Sequence, residues 1–153
     1  MARLDSMPEP MRGHLANLPC PIFETTPFVE APPAGDRRVA MISTAGLHRR
    51  GDRPFSLGSD DYRLIPGDIK ANDLVMSHVS TNFDRTGFQQ DLNVIFPLDR
   101  LREMVGRGEI GSVANYHYSF MGATEPEKME QTVRKLASLL KKDKVNSVLL
   151  VPV

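Results

Sequence analysis

A chain of 153 residues suits one ordinary domain. Its 41% apolar and 25% charged residues are ordinary globular values, which excludes intrinsic disorder, collagen-like repeats and a coiled coil. Lys+Arg and Asp+Glu both number 19, so no bulk charge selects a nucleic-acid backbone, an anionic membrane or a cation.

Residues 1–37 hold seven of the twelve prolines, so neither a continuous helix nor a central strand is expected there. The reading is a proline-rich arm whose Leu15, Leu18, Ile22, Phe23, Phe28 and Val29 pack on the domain or on a second copy, which predicts a homo-oligomer. The single cysteine, Cys20, lies in this arm between Pro19 and Pro21. It closes no internal disulfide and has no local base except His14, so a reducing compartment is expected. The first residues carry charges and prolines rather than the apolar core of a leader, and no apolar run reaches membrane-spanning length. The expected location is the cytoplasm.

Residues 38–153 read as the domain proper. Ala34-Gly35-Asp36 is a turn, and Val39–Thr44 is a short apolar run with the profile of a buried parallel strand. Leu47–Pro54 is polar and broken by Gly and Pro, hence a loop. Tyr62–Ile65 and Asp73–Val79 are strand candidates, Ser80–Gln90 is a loop, and Leu92–Phe96 alternates. Pro97 opens a helix carrying Leu98, Leu101, Met104 and Val105, stopped by Gly106 and Gly108. Val113–Phe120 reads as a strand. Thr124-Glu125-Pro126-Glu127 has the form of a capping box ahead of an amphipathic helix with Met129, Val133, Leu136 and Leu140 on one face. Ser147–Val151 is apolar throughout after its first residue, the mark of a strand inside a sheet covered on both faces. Strands alternating with helices predict an α/β fold, a mostly parallel sheet layered with helices in the Rossmann or flavodoxin manner.

Two polar loops follow apolar strands, where open α/β sheets place their ligands. The first offers His48, Arg49 and Arg50; the second offers His78, Asp84, Arg85 and Asp91. Guanidinium forks from Arg49, Arg50 and Arg85 suit a small carboxylate, and His48 or His78 suits proton movement near neutral pH, so an amino-acid-like anion is the expected ligand. The plainer alternatives stay open. Arg49, Arg50 and Arg53 also fit an exposed loop paired with Asp52 or Asp60, and Asp84, Arg85 and Asp91 also fit an ion-pair network that fixes a loop. His117, among Tyr116, Tyr118 and Phe120, reads as a satisfied half-buried histidine. His48, His78 and His117 with Asp84 or Asp91 lack the spacing of a metal motif, so no metal site is expected. Nucleotide-binding glycine motifs and the serine-hydrolase elbow do not occur.

The strings Ser43–Asp52, Tyr62–Pro66, Ser77–Val79, Asn82–Asn93, Phe96–Leu101 and Gly108–Val113 together resemble the selenoprotein B family of glycine, sarcosine, betaine and D-proline reductases. The resemblance implies reductive cleavage of the carbon–nitrogen bond at the α-carbon of an amino-acid derivative. A selenolate attacks carbon as the amine leaves, with partner subunits, one often carrying a pyruvoyl group. Selenium suits the task because a low pKa keeps it anionic. The family's selenocysteine, or a cysteine in its place, follows the strand that here is Val148–Val153. No cofactor beyond that residue is implied. The 153 residues contain no such residue at that place. The expectation is therefore a reductase component lacking its redox nucleophile, with Val153 standing just before an in-frame UGA codon. The alternative is a non-catalytic small-anion binding or scaffolding domain.

Overall fold

The computed structural model describes residues 4–80 and 85–153. In chain order the elements are α1 (Met11–Ala16), β1 (Arg38–Ser43), β2 (Leu47–Arg49), β3 (Arg63–Pro66), β4 (Leu74–Met76), α2 (Thr86–Gln90), α3 (Leu98–Gly106), β5 (Ser112–Val113), β6 (Tyr116–Ser119), α4 (Pro126–Lys142) and β7 (Ser147–Val151). Short 3-10 turns cover Leu4–Ser6, Ala34–Asp36, Ala71–Asp73 and Leu92–Val94.

The hub is β1. On one side it pairs in parallel with β5 and then β6, which act as one strand broken at Ala114-Asn115; on the other it pairs in parallel with β7. Strand β3 closes the sheet antiparallel to β6. Alternation along β1 explains the layers, because successive side chains point to opposite faces. Val39 and Met41 join a core with Leu98 and Leu101 of α3, whereas Ile42 packs against Tyr118, Phe120 and Leu136 of α4. The result is a mixed α/β fold, a mostly parallel sheet with a helix on each face. A second, two-stranded sheet pairs β2 with β4, His48 opposite Val75. Among the described residues no helix is long and apolar enough to cross a membrane.

The break between β5 and β6 is repaired by side chains. Met41 N–H, which has no carbonyl to meet there, donates to Nδ1 of His117 at 3.0 Å. Asp143, just past α4, accepts from the N–H of Asn115 and Tyr116 and forms a 2.6 Å ion pair with Arg38. Arg38 in turn donates to the Val113 carbonyl. These bonds satisfy backbone groups that an unbroken ladder would have satisfied itself.

Several sequence expectations are corrected. Strand β7 is not inside the sheet: it is an edge, with Val148, Leu149 and Leu150 exposed, while Val151 and Val153 pack on the α3-side core. Leu47–Arg49 is a strand rather than loop because the apolar Leu47 and the buried His48 pair with Leu74–Met76. Within the segment expected as a loop, Thr86–Gln90 is helical, and in the stretch Leu92–Phe96 read as alternating, Leu92–Val94 is a 3-10 turn. No capping box forms: Thr124 Oγ1 donates to the Ser59 carbonyl instead, tying the helix entrance to a distant loop. Val133 faces solvent, so α4 is anchored by Leu136 with Met129, Leu139 and Leu140. Ahead of β1, Ile22, Phe23, Phe28 and Val29 are exposed and do not pack on the domain.

Candidate functional site at the carboxyl end of the sheet

Beyond β1 the chain runs Thr44-Ala45-Gly46 and then enters β2. Ser77 N–H donates to the Gly46 carbonyl at 3.0 Å, which sets His78 directly against this turn. Gly46 has φ +65°, and a Cβ there would come within 2.9 Å of the backbone of His78, so both conformation and contact call for glycine. A second glycine, Gly122, follows β6. The position its Cβ would occupy lies 2.9 Å from the Thr44 carbonyl, 3.0 Å from the Val153 carbonyl and 3.1 Å from Nε2 of His78. The ends of β1 and β7, the turn after β6 and the His78 imidazole therefore meet at one point. Gly122 itself is exposed, and the Nε2 atom of His78 lies buried beneath it.

His78 is buried, 7% exposed. Its Nδ1 accepts the Ser80 N–H at 3.1 Å, which places the proton of the neutral ring on Nε2. Burial first, and the Arg85 cation second, hold its pKa below the ordinary imidazole value. At neutral pH it is a neutral ring whose buried Nε2 carries the proton. Arg85 does not reach into an open pocket with the group seen here: its Nη2 donates to the carbonyls of His78 (2.8 Å) and Ser80 (3.2 Å), bracing the turn that carries the imidazole.

The other sequence candidates are dispersed. His48, 4% exposed, donates Nδ1–H to the Arg49 carbonyl, and its Nε2 is buried with no partner among the described residues. Arg49 clamps Asp52 with two hydrogen bonds of 3.0 and 3.1 Å, which lowers the Asp52 pKa. Arg50 donates to the Asn72 carbonyl. Asp91 caps the Leu92–Val94 turn, accepting from the backbone and side-chain amides of Asn93; that backbone bond, first, lowers its pKa. Asp84 lies outside the described residues. So His78 and Arg85 come together, while Arg49, Arg50 and Asp91 are spent on local structure.

Sequence reasoning missed Thr44, Gly46 and Gly122. The two glycines carried a usable signal, each closing an apolar run, but only the fold shows that they face one imidazole. His117 is fully buried rather than half-buried; burial drives its pKa down to about 4, and its Nε2 has no partner among the described residues. Its ring meets Phe96 edge-on at 5.8 Å. Two cavities, of about 250 and 470 Å³, lie elsewhere, beside Leu74, Phe96 and Arg102 and beside Gly67 and Asn115. Neither is lined by His78 or Arg85, and the side-chain chemistry rather than the concavity marks the carboxyl end.

The family model described as glycine/sarcosine/betaine reductase selenoprotein B matches residues 58–153. The chain is 36% identical over 118 residues to the D-proline reductase subunit gamma of Acetoanaerobium sticklandii, covering 75% of this chain and 48% of that protein. It is 31% identical over 111 residues to the sarcosine reductase complex component B subunit beta of Peptoclostridium acidaminophilum, covering 68% of this chain and 25% of that one. It is 28% identical over 142 residues to the glycine reductase complex component B subunit gamma of Symbiobacterium thermophilum, covering 86% and 32%. The chain thus spans about half the length of the first of these relatives and a third or less of the others. No solved structure matches it. The family-model match from the loop before β3 to Val153, together with the similarity to three reductase subunits, places this chain in the selenoprotein B family.

Proposed function

We propose that this chain is a component of a cytoplasmic reductase that cleaves the carbon–nitrogen bond of a small amino-acid derivative, working with partner subunits. In this reading the reacting end is the carboxyl edge of a Rossmann- or flavodoxin-like sheet. The observation that carries it is the placement of His78, a buried neutral imidazole whose proton sits on Nε2, beside the ends of β1 and β7. That N–H suits the carboxylate of the substrate, with Arg85 bracing the turn behind it. Cys20 is a poor stand-in for the family's redox nucleophile, since it is exposed and bonds, among the described residues, to the Leu18 carbonyl two residues back.

Thermal-shift titration with glycine, sarcosine, betaine and D-proline tests the ligand. A shift that disappears in His78→Ala and persists in Arg49→Ala is the expected result; no shift with any of the four, or one lost only in Arg49→Ala, overturns the site. Amine release in the presence of a dithiol and of the partner subunits then separates a reductase component from a non-catalytic anion-binding or scaffolding domain.

A further inference from the structure

The β1–β7 ladder pairs Ser43 with Val151, and Thr44 N–H still donates to the Val151 carbonyl at 3.1 Å. The next bond of a parallel ladder would run from the Val153 N–H to the Thr44 carbonyl, but that N–H turns to the Thr44 side chain instead, while Pro152 sits where its nitrogen faces away from β1. A backbone released at this point would normally fray. Instead, the side chain of Thr44 takes over. Its Oγ1 accepts the Val153 N–H at 2.8 Å and lies 3.4 Å from the Val153 carbonyl, to which the hydroxyl donates. The Val153 side chain packs against the α3-side core at the same time. One hydroxyl and one apolar contact thus hold a residue that the ladder itself has dropped.

The opposite wall is Gly122. Because it has no Cβ, its backbone lies flat against the Thr44 carbonyl, the Val153 carbonyl and His78 Nε2, each within 3.1 Å of where a Cβ would be. Two of these three atoms are backbone carbonyls, which cannot swing aside as a flexible side chain would. A methyl group here must push the turn after β6, the Val153 backbone or the imidazole away.

We propose that Thr44 and Gly122 are positioning residues, which together hold the Val153 backbone beside the His78 imidazole at the carboxyl edge of the sheet. The proposal rests on the reading that this edge is the reacting end, and it gives that edge a fixed register for whatever chemistry takes place there. Neither residue touches the ligand in this account; both act through Val153 and His78.

The test uses the 153-residue chain, labelled for nuclear magnetic resonance, in Thr44→Val, Thr44→Ser and Gly122→Ala forms. Thr44→Val keeps the shape and removes the hydroxyl. It should speed hydrogen exchange of the Val153 amide about tenfold, the loss of one hydrogen bond, while Thr44→Ser restores protection and the amides of β1 stay as they were. Gly122→Ala should displace the His78 ring resonances and also speed exchange at Val153. The proposal is overturned if Thr44→Val leaves Val153 exchange within about twofold of the parent, or if Thr44→Ser behaves like Thr44→Val. It is equally overturned if Gly122→Ala folds with an unchanged His78 ring. None of these readouts needs a substrate. A clamp that passes them in a chain that binds none of the four ligands sinks the functional reading alone, whereas ligand binding that survives a failed clamp sinks only this proposal.

Discussion

His117 and His78 each accept a backbone N–H through Nδ1, from Met41 at 3.0 Å and from Ser80 at 3.1 Å, and burial lowers the pKa of both. Their surroundings differ. His117 sits inside the sheet, at a break where strand pairing fails, and its neighbours Asp143 and Arg38 repair the same break. His78 lies beyond the strands, between two glycines, one of them exposed. The first imidazole substitutes for a missing carbonyl and holds the fold together. The second is held by the fold, its buried Nε2 set beneath the exposed Gly122 at the carboxyl end of the sheet. Burial and a shifted pKa therefore do not distinguish a functional histidine from a structural one; the element on which each ring closes does.

The comparison is broken most severely at Asp143. Its carboxylate is 10% exposed and serves Arg38, Asn115 and Tyr116 together. Asp143→Ala should cost about 3–4 kcal/mol by chemical denaturation, because it strands a partly buried guanidinium and two N–H groups. Asp143→Asn, which keeps one acceptor oxygen, should cost visibly less. Equal losses in the two variants would show that the carboxylate's acceptor role at the break is unimportant.

His117→Ala should cost about 3 kcal/mol, from the cavity and from the orphaned Met41 N–H. The pH dependence gives a more specific reading. In the unfolded chain the ring titrates near 6.5, while in the folded chain it is held down to about 4. As pH falls below 6.5 the unfolded state takes up a proton that the folded state refuses, so stability, complete above that pH, is lost progressively down to about 4. The gap of about 2.5 pH units corresponds to about 3 kcal/mol. His78, shifted in the same direction, steepens the same slope. In His117→Gln most of the slope should vanish in denaturation curves taken from pH 7 to pH 4, and an undiminished slope would place the acid sensitivity elsewhere.

These effects also mark where sequence was readable. The apolar run of β1, the α3 face with Leu98 and Leu101, and the long α4 were legible because one period of hydrophobicity governs each. Strand β7 was legible as a strand and illegible as an edge, since an apolar run says nothing of which neighbours cover it. Strand β2 was hidden because three residues among Gly, Arg and Pro carry no period. At the site, His78 and Arg85 stood in a polar string that resembles a known family, while Thr44 and Gly122 matter only through atoms of distant residues. Residues that act by contact across the chain leave no local pattern.

Arg85→Met should sharpen the same comparison with a smaller effect, about 1 kcal/mol, through release of the two carbonyls it braces. Its clearer signature is electrostatic. The Arg85 cation is the second cause of the low His78 pKa, after burial, so removing it should raise the His78 titration midpoint and leave that of His117 in place. Ring-proton titration by nuclear magnetic resonance reads both in one sample. Parallel movement of the two histidines would mean that the variant loosened the whole core rather than the edge.

The smallest effect belongs to Arg49, where the structure shows the plainer of the two sequence readings, an exposed pair with Asp52. The spacing Leu47-His48-Arg49-Arg50 at the end of an apolar strand suggests a clamp for a carboxylate, and the guanidinium does clamp one, that of Asp52 three residues on. Both side chains are solvent-accessible, at 48% and 27%, so water screens the pair and competes for its hydrogen bonds. Arg49→Ala should leave the melting temperature within measurement scatter, and it should leave ligand-induced thermal shifts intact where His78→Ala abolishes them. Asp52→Asn is the informative companion, because it frees the Arg49 fork without removing it. If that variant gains affinity for small carboxylates, the Asp52 side chain is a built-in competitor for an anion site at β2. If it gains none, Arg49 belongs to the turn after β2 alone.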